Sequence, residues 1–364
     1  MRFGSGYGMR AAVVGGFTGL LIVPALWAQQ TKEKVIVDDV DRNYVVRLPK
    51  GYDAQQHYPV VILLHGMSQD ADDMQRLTRF DELADKDGII AIYPIALHGR
   101  WNVGVHAQER RPMMGPGRRR PYGGGYPGGG GYPGGGYPGG GGGYPRGGQQ
   151  PRGQDPDAPK RVTPADDISF FNQMLDQVGN KFSVDSSRIY AVGLSEGGFM
   201  SMRLGCALGD RIAAVAAVGA AMPKTMICLP SRPVPLAMIS GTSDPVVPYG
   251  GGTEHNMRLA TISVEDSAKA WAKINRCEEK PEKSKLSPHS KGGMETKVDT
   301  YNSCHENAQV VLYSVKGAGN TWPGGEQYEA EKTIGKTSQD LNANEVIWSF
   351  FVTRKLPGQG AEQK

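Results

Sequence analysis

Gly193-Leu194-Ser195-Glu196-Gly197-Gly198 follows directly on the apolar run Ile189-Tyr190-Ala191-Val192, and the reading of this stretch decides the fold. A serine at the tip of a sharp strand-to-helix turn needs glycine on both sides, because a Cβ there would strike the facing strand and helix. Such a turn, a nucleophile elbow, presents the hydroxyl and leaves the next backbone N–H directed at the same space. A Gly-Ser loop without chemistry is the competing reading, since the bare pattern Gly-x-Ser-x-Gly also arises by chance. The flanks favour the elbow. A β-like run precedes it, and Phe199-Met200-Ser201-Met202-Arg203-Leu204 follows with helical spacing.

Outward from the elbow, apolar strands alternate with amphipathic helices. Tyr44–Leu48, Val60–Leu64, Gly88–Tyr93, Ile189–Val192, Leu236–Ile239 and Val310–Tyr313 read as strands. Their continuous apolar character implies burial on both faces and hence a mainly parallel sheet. Helices are predicted at about 71–86, 166–180, 197–208, 263–276 and 342–353; in the second, Ile168, Phe171, Met174, Leu175 and Val178 recur at i, i+3 and i+4. This predicts one α/β domain, doubly wound, over 29–107 and 161–355, with 356–364 as a C-terminal tail.

The domain is interrupted. Residues 122–148 contain only Gly, Tyr and Pro apart from Arg146, in an imperfect Gly-Gly-Gly-Tyr-Pro repeat. With no aliphatic side chains such a segment builds no core, so 108–160 is expected to be a disordered insertion, either a tolerated surface loop or an arm that adheres to a polymer or cell envelope. At the start of the chain Arg2 and Arg10 precede the apolar segment Ala11–Leu26, which Pro24 breaks and Ala28-Gln29 follows. This is the pattern of a secretory signal peptide over 1–28, cut after Ala25 or Ala28, leaving a secreted product with no membrane span. A single-pass anchor is disfavoured by the short apolar run and by Gly15, Gly16 and Gly19.

The formal net charge of +4 does not indicate a polyanionic partner. Arg2 and Arg10 fall in the leader, and 108–160 holds eight basic against three acidic residues, so the globular remainder is mildly acidic. Nucleic-acid binding is therefore not expected. The four cysteines, Cys206, Cys228, Cys277 and Cys304, include no Cys-x-x-Cys pair, so no metal site is indicated. In an oxidising compartment they predict two disulfides. Of three possible pairings the local ones, Cys206–Cys228 and Cys277–Cys304, are favoured, each stabilising by roughly 3 kcal/mol.

Acyl transfer on serine needs a nucleophile, a base, a group that orients the base, and two N–H donors for the oxyanion. Ser195 is the candidate nucleophile. Leu63-Leu64-His65-Gly66-Met67 ends a core strand in a His-Gly turn that places the N–H of Met67 opposite that of Glu196 as an oxyanion hole. His65 itself reads as structural. The strand Leu236–Ile239 runs into Ser240-Gly241-Thr242-Ser243-Asp244-Pro245, which puts Asp244 at a strand's carboxyl end, where a triad acid belongs. An Asp-Pro turn residue is the competing reading there.

The chain resembles the secreted esterase family that includes polyhydroxybutyrate depolymerases, feruloyl esterases and acetylxylan esterases, all α/β-hydrolases. The resemblance is carried by Leu64-His65-Gly66, Trp101-Asn102-Val103-Gly104, Ala165-Asp166-Asp167-Ile168, Arg188–Ser195, Gly241–Tyr249 and Asn320-Thr321-Trp322-Pro323-Gly324-Gly325, and it runs from about Tyr44 to Phe351 outside the insertion. It implies a carboxylic ester hydrolase without a cofactor, working through an acyl-enzyme on Ser195, with Asp244 as acid. The implied substrate is an ester-containing polymer, either a polyhydroxyalkanoate or a polysaccharide bearing feruloyl or acetyl groups. A monomer is expected.

One position departs from the family. Its members carry Gly-Gly-Gly-His-Thr-Trp-Pro-Gly with histidine as the base, and this sequence has Gly317-Ala318-Gly319-Asn320-Thr321-Trp322-Pro323-Gly324. A carboxamide nitrogen has no available lone pair and its oxygen is a very weak base, so Asn320 is not a proton acceptor near neutral pH. All six remaining histidines, His57, His98, His106, His255, His289 and His305, lie outside the motif; His255, which follows the Asp244 loop, and His98, near the end of a strand, are the least implausible substitutes. Glu196 is a second departure, because a carboxylate beside the nucleophile opposes an oxyanion unless it points to solvent. An alternative function follows: a catalytically impaired esterase fold that binds a polymer or an envelope component.

Overall fold

The computed structural model describes residues 29–104, 165–253, 259–289 and 291–358. The expected signal peptide, the whole of the expected insertion over 108–160, and both His106 and His255 lie outside them. In chain order the elements are β1 (Gln30–Val37), β2 (Val40–Arg47), β3 (Tyr58–Leu64), α1 (Ala71–Thr78), α2 (Phe80–Asp87), β4 (Ile90–Pro94), α3 (Asp167–Lys181), β5 (Val184–Leu194), α4 (Glu196–Ala207), β6 (Ala214–Val218) and β7 (Leu236–Gly241). They continue with β8 (Gly252–Thr253), β9 (Ala260–Thr261), α5 (Val264–Ile274), β10 (Glu282–Leu286), β11 (Thr296–Tyr301), β12 (Val310–Val315), α6 (Glu331–Ile334) and α7 (Ala343–Phe351).

Ten strands form one sheet in the order β1-β2-β4-β3-β5-β6-β7-β12-β11-β10. The middle, from β4 to β12, is parallel throughout, while β2 and β11 run antiparallel to their inner neighbours and are hairpin-paired with β1 and β10. The chain reverses its direction of travel across the sheet around β3, and parallel strands crossed by helices on both faces are the α/β-hydrolase arrangement. Alternation along β3 divides the core. Val60, Ile62 and Leu64 face the layer of α3, α4 and α5, with Phe170, Phe199 and Trp271, whereas Val61 and Leu63 face α1, α2 and α7, with Phe80, Ile347 and Phe351.

The predicted helix over 71–86 is two helices. Arg79 adopts φ 50°, ψ 32° and serves as C-cap of α1 and N-cap of α2, a break that no glycine or proline announces. Strands β1, β6, β8, β9, β10 and β11 fall outside the predicted set: β6 is Ala-Val-Ala-Ala-Val, β8 and β9 are two residues each, and β10, Glu-Lys-Ser-Lys-Leu, is exposed along its whole length. Both expected disulfides are formed, Cys206–Cys228 and Cys277–Cys304. Among the described residues no helix is long and apolar enough to cross a membrane.

The two chain ends that bracket the expected insertion are pinned together. Asn102 N–H donates to Asp167 Oδ2 at 2.6 Å, and Asn102 Nδ2–H donates to Ala165 O at 2.8 Å. Asp167, fully buried, also pairs with Arg42 at 2.5 Å; burial raises its carboxyl pKa against the lowering pull of that guanidinium. Deleting residues 108–160 therefore shortens a connection whose described ends, Asn102 and Ala165, are already held side by side. Thermal unfolding of the deletion variant is expected within roughly 3 °C of the parent; a drop of more than about 10 °C would show that the domain depends on the removed segment.

Candidate active site

The elbow forms because backbone packs on backbone. A Cβ at Gly193 would lie 2.2 Å from the Gly197 carbonyl carbon, and one at Gly197 would lie 2.1 Å from Leu64 O and 2.7 Å from His65 O. No side chain fits either place. Ser195 takes φ 54°, ψ −116° between β5 and α4, a strained conformation of the kind found at reactive positions, and it remains partly exposed. Its N–H donates to Val218 O at 2.8 Å, which fixes the elbow to the end of β6.

The close approach of Gly197 to Leu64 O and His65 O sets the first turn of α4 against the turn after β3, where Met67 lies. That turn is shaped by His65, whose ring is fully buried. Ala96 N–H donates to His65 Nε2 at 3.1 Å, so the proton sits on Nδ1 and is donated to Gly66 O at 2.7 Å. Burial holds the imidazole pKa below its ordinary value, and the neutral ring has both nitrogens committed. His65 is structural, as its position in the motif suggests.

Asp244 lies three residues beyond β7 and is 8% exposed. Its Oδ1 accepts N–H bonds from Val246 and Val247, each at 2.8 Å, and its Oδ2 accepts from Asn320 Nδ2 at 2.8 Å. One oxygen of the carboxylate thus makes the contacts of an Asp-Pro turn, and the other holds the Asn320 side chain. Asn320, 1% exposed, also donates from Nδ2 to Gly219 O at 3.0 Å. Both acceptors are oxygens, which fixes the carboxamide orientation and uses both of its N–H groups. Since Gly219 follows Val218, which holds Ser195 N–H, the Asp244–Asn320 pair and the elbow meet on consecutive residues at the end of β6. Asn320 is secured from behind by its own N–H to Ile334 O at 2.6 Å and by Tyr328 Oη–H to its carbonyl at 2.9 Å.

The other described histidines sort by sheet geometry. His57 and His305 precede the N-terminal ends of β3 and β12, opposite the end where Ser195 sits. His289 follows β10, five strands from β5, a lateral separation of about 24 Å. His98, exposed and at φ 54°, is at the correct end and two strands from β5, about 10 Å laterally.

Glu196 does not point to solvent. It is 1% exposed and its Oε1 accepts from Arg100 Nε at 2.9 Å, so the condition expected to excuse a carboxylate beside the nucleophile is replaced by an ion pair. Arg100 was missed in the sequence because it lies 96 residues away and carries no motif of its own, although it immediately precedes the Trp101-Asn102 segment.

Residues 42–102 match the family described as Esterase PHB depolymerase. The chain is 24% identical over 353 residues to NocK of Nocardia uniformis subsp. tsuyamanensis, to which an esterase role is ascribed, covering 94% of this chain and 88% of that protein. It is 33% identical over 165 residues to feruloyl esterase B of Piromyces equi, covering 43% of this chain and 29% of that protein. It is 23% identical over 192 residues to the bifunctional acetylxylan esterase/xylanase XynS20E of Neocallimastix patriciarum, covering 52% and 20%. The chain thus spans less than a third of the length of these last two relatives. Among solved structures, the acetyl xylan esterase from Aspergillus awamori aligns over 88% of this chain and 98% of that one, with 11% identity and a TM-score of 0.49. These loose structural likenesses decide nothing, and the fold rests on strand order and elbow. By strand order and elbow the chain has the α/β-hydrolase fold, and the matching sequences make it similar to the esterases that include polyhydroxybutyrate depolymerases, feruloyl esterases and acetylxylan esterases.

Proposed function

We propose that this chain is a carboxylic ester hydrolase that acts through an acyl-enzyme on Ser195, and that its turnover is slow because Asn320 occupies the place of the base. Asp244 is the acid of the constellation, and the N–H groups of Met67 and Glu196 are the oxyanion donors. The observation that carries this reading is the 2.8 Å bond from Asn320 Nδ2 to Asp244 Oδ2. It keeps the acid-to-base geometry of a triad with a residue that cannot take a proton.

Chemically, Ser195 and the two proposed N–H donors, Glu196 on the elbow and Met67 on the turn after β3, act on the ester carbonyl, which supports the tetrahedral intermediate regardless of what removes the proton. Deprotonation of Ser195 falls to water or hydroxide. No metal or organic cofactor enters this scheme. The names of the relatives support an ester-bearing polymer as substrate, a polyhydroxyalkanoate or an acylated polysaccharide. The two disulfides and the leader-like residues 1–28 support secretion of the protein. A monomer suffices, since the proposed constellation comes from one chain.

Hydrolysis of p-nitrophenyl butyrate by the natural chain, Ser195→Ala and Asn320→His tests the reading. The natural chain is expected to exceed Ser195→Ala by a small factor, and Asn320→His to exceed the natural chain by about a thousandfold or more, within the range that histidine contributes to such triads. A natural chain already as fast as Asn320→His would mean that another base serves Ser195. Equal rates in the natural chain and Ser195→Ala, with no gain in Asn320→His, would remove the esterase reading and leave ester or polymer binding as the function.

A further inference from the structure

We infer that Arg100 is a positioning residue for the oxyanion site, and that the segment Ala96–Trp101 is the scaffold that sets the shape and the charge of that site. The inference rests on the Ser195 reading above. Glu196 contributes one of the two proposed N–H donors, yet its carboxylate is buried one residue from the nucleophile. A buried carboxylate at that position opposes charge developing on a substrate oxygen, and it partly cancels the favourable field at the start of α4. Arg100 reverses the effect. Its Nε donates to Glu196 Oε1 at 2.9 Å while its side chain stays 45% exposed, so the buried anion is compensated without burying the whole cation.

The same segment grips the other donor's turn. Ala96 N–H donates to His65 Nε2 at 3.1 Å, Trp101 Nε1–H donates to His65 O at 2.9 Å, and Ser68 N–H donates to Gly99 O at 2.9 Å. Gly99 adopts φ 68°, and a Cβ there would come within 3.3 Å of Ser68 Cα, so the segment lies directly on the turn beside Met67. Three bonds fix the turn after β3, and a fourth fixes Glu196 at the start of α4. The segment therefore ties together the two backbone stretches whose N–H groups must converge on one oxygen, and Arg100 is its electrostatic member.

The test uses the Asn320→His chain and p-nitrophenyl butyrate. Arg100→Met is expected to lower kcat about tenfold or more and to leave KM within about twofold, because the Glu196 charge, deprived of the Arg100 ion pair, acts on the transition state and not on the neutral ester. Arg100→Lys, and Arg100→Met combined with Glu196→Gln, are each expected to recover most of the lost kcat. Thermal unfolding separates a folding defect from this effect, and Arg100→Gln replaces Arg100→Met if the latter does not fold. A kcat within about twofold of the parent in the neutral variant, or no recovery in the double variant, overturns the inference. Ser195→Ala in the same background reports on the underlying reading: if it keeps the turnover, Ser195 is not the nucleophile, whatever Arg100 does.

Discussion

The rest of the site depends on a backbone contact that only glycine permits. Gly197 lies so close to the carbonyls of Leu64 and His65 that an added Cβ would sit 2.1 Å from the first of them. This contact brings α4 down onto the end of β3 and forces Ser195 into its strained turn. The two turns that carry the proposed oxyanion donors then meet by construction. The contact also explains why the segment after β4 can reach both: it crosses a junction already closed by backbone packing, and adds hydrogen bonds where glycine has removed bulk.

Across the sheet, the proposed acid is firmly held and the residue beside it is an asparagine. Asp244 is held by two backbone N–H groups and one carboxamide, which is ample support for a carboxylate. Asn320 fits the space left between Asp244 and Gly219 and satisfies both. The substitution therefore costs the fold little: a buried polar side chain with both donors used is not a defect. What it changes is acid–base chemistry, because neither the amide nitrogen nor the committed ring of His65 accepts a proton near neutral pH. The proposed slowness thus comes from a single missing lone pair inside an intact frame.

Much of this was legible in the sequence. The elbow, the Asp244 loop and the Asn320 segment are local motifs close to the preceding strands, so the sequence points to them, and the structure brings Asp244 and Asn320 into contact. The parallel core strands were found because burial on both faces writes a continuous apolar run. Other elements are written in no such code. Strand β6, Ala-Val-Ala-Ala-Val, is as alanine-rich as a helix and becomes a strand only between β5 and β7. Strands β10 and β11 are paired at a sheet edge and carry charged residues that suit an edge. The break at Arg79 sits in a run with no turn residue. The Arg100–Glu196 pair is invisible for a different reason: it joins the ends of two parallel strands separated by β3, and only the sheet order makes them neighbours.

The central proposal is that Ser195 is the nucleophile and that, among the described residues, no imidazole takes the place held by Asn320. The most direct measurement is the rate of covalent labelling of Ser195 by a fluorophosphonate as a function of pH, followed by intact-mass spectrometry. With hydroxide or water as acceptor, the account predicts a rate that rises about tenfold per pH unit from pH 6 to 9 without a plateau. A rate that levels off above an inflection near pH 6.5, the ordinary titration range of histidine, would contradict it and show that an imidazole serves Ser195 after all.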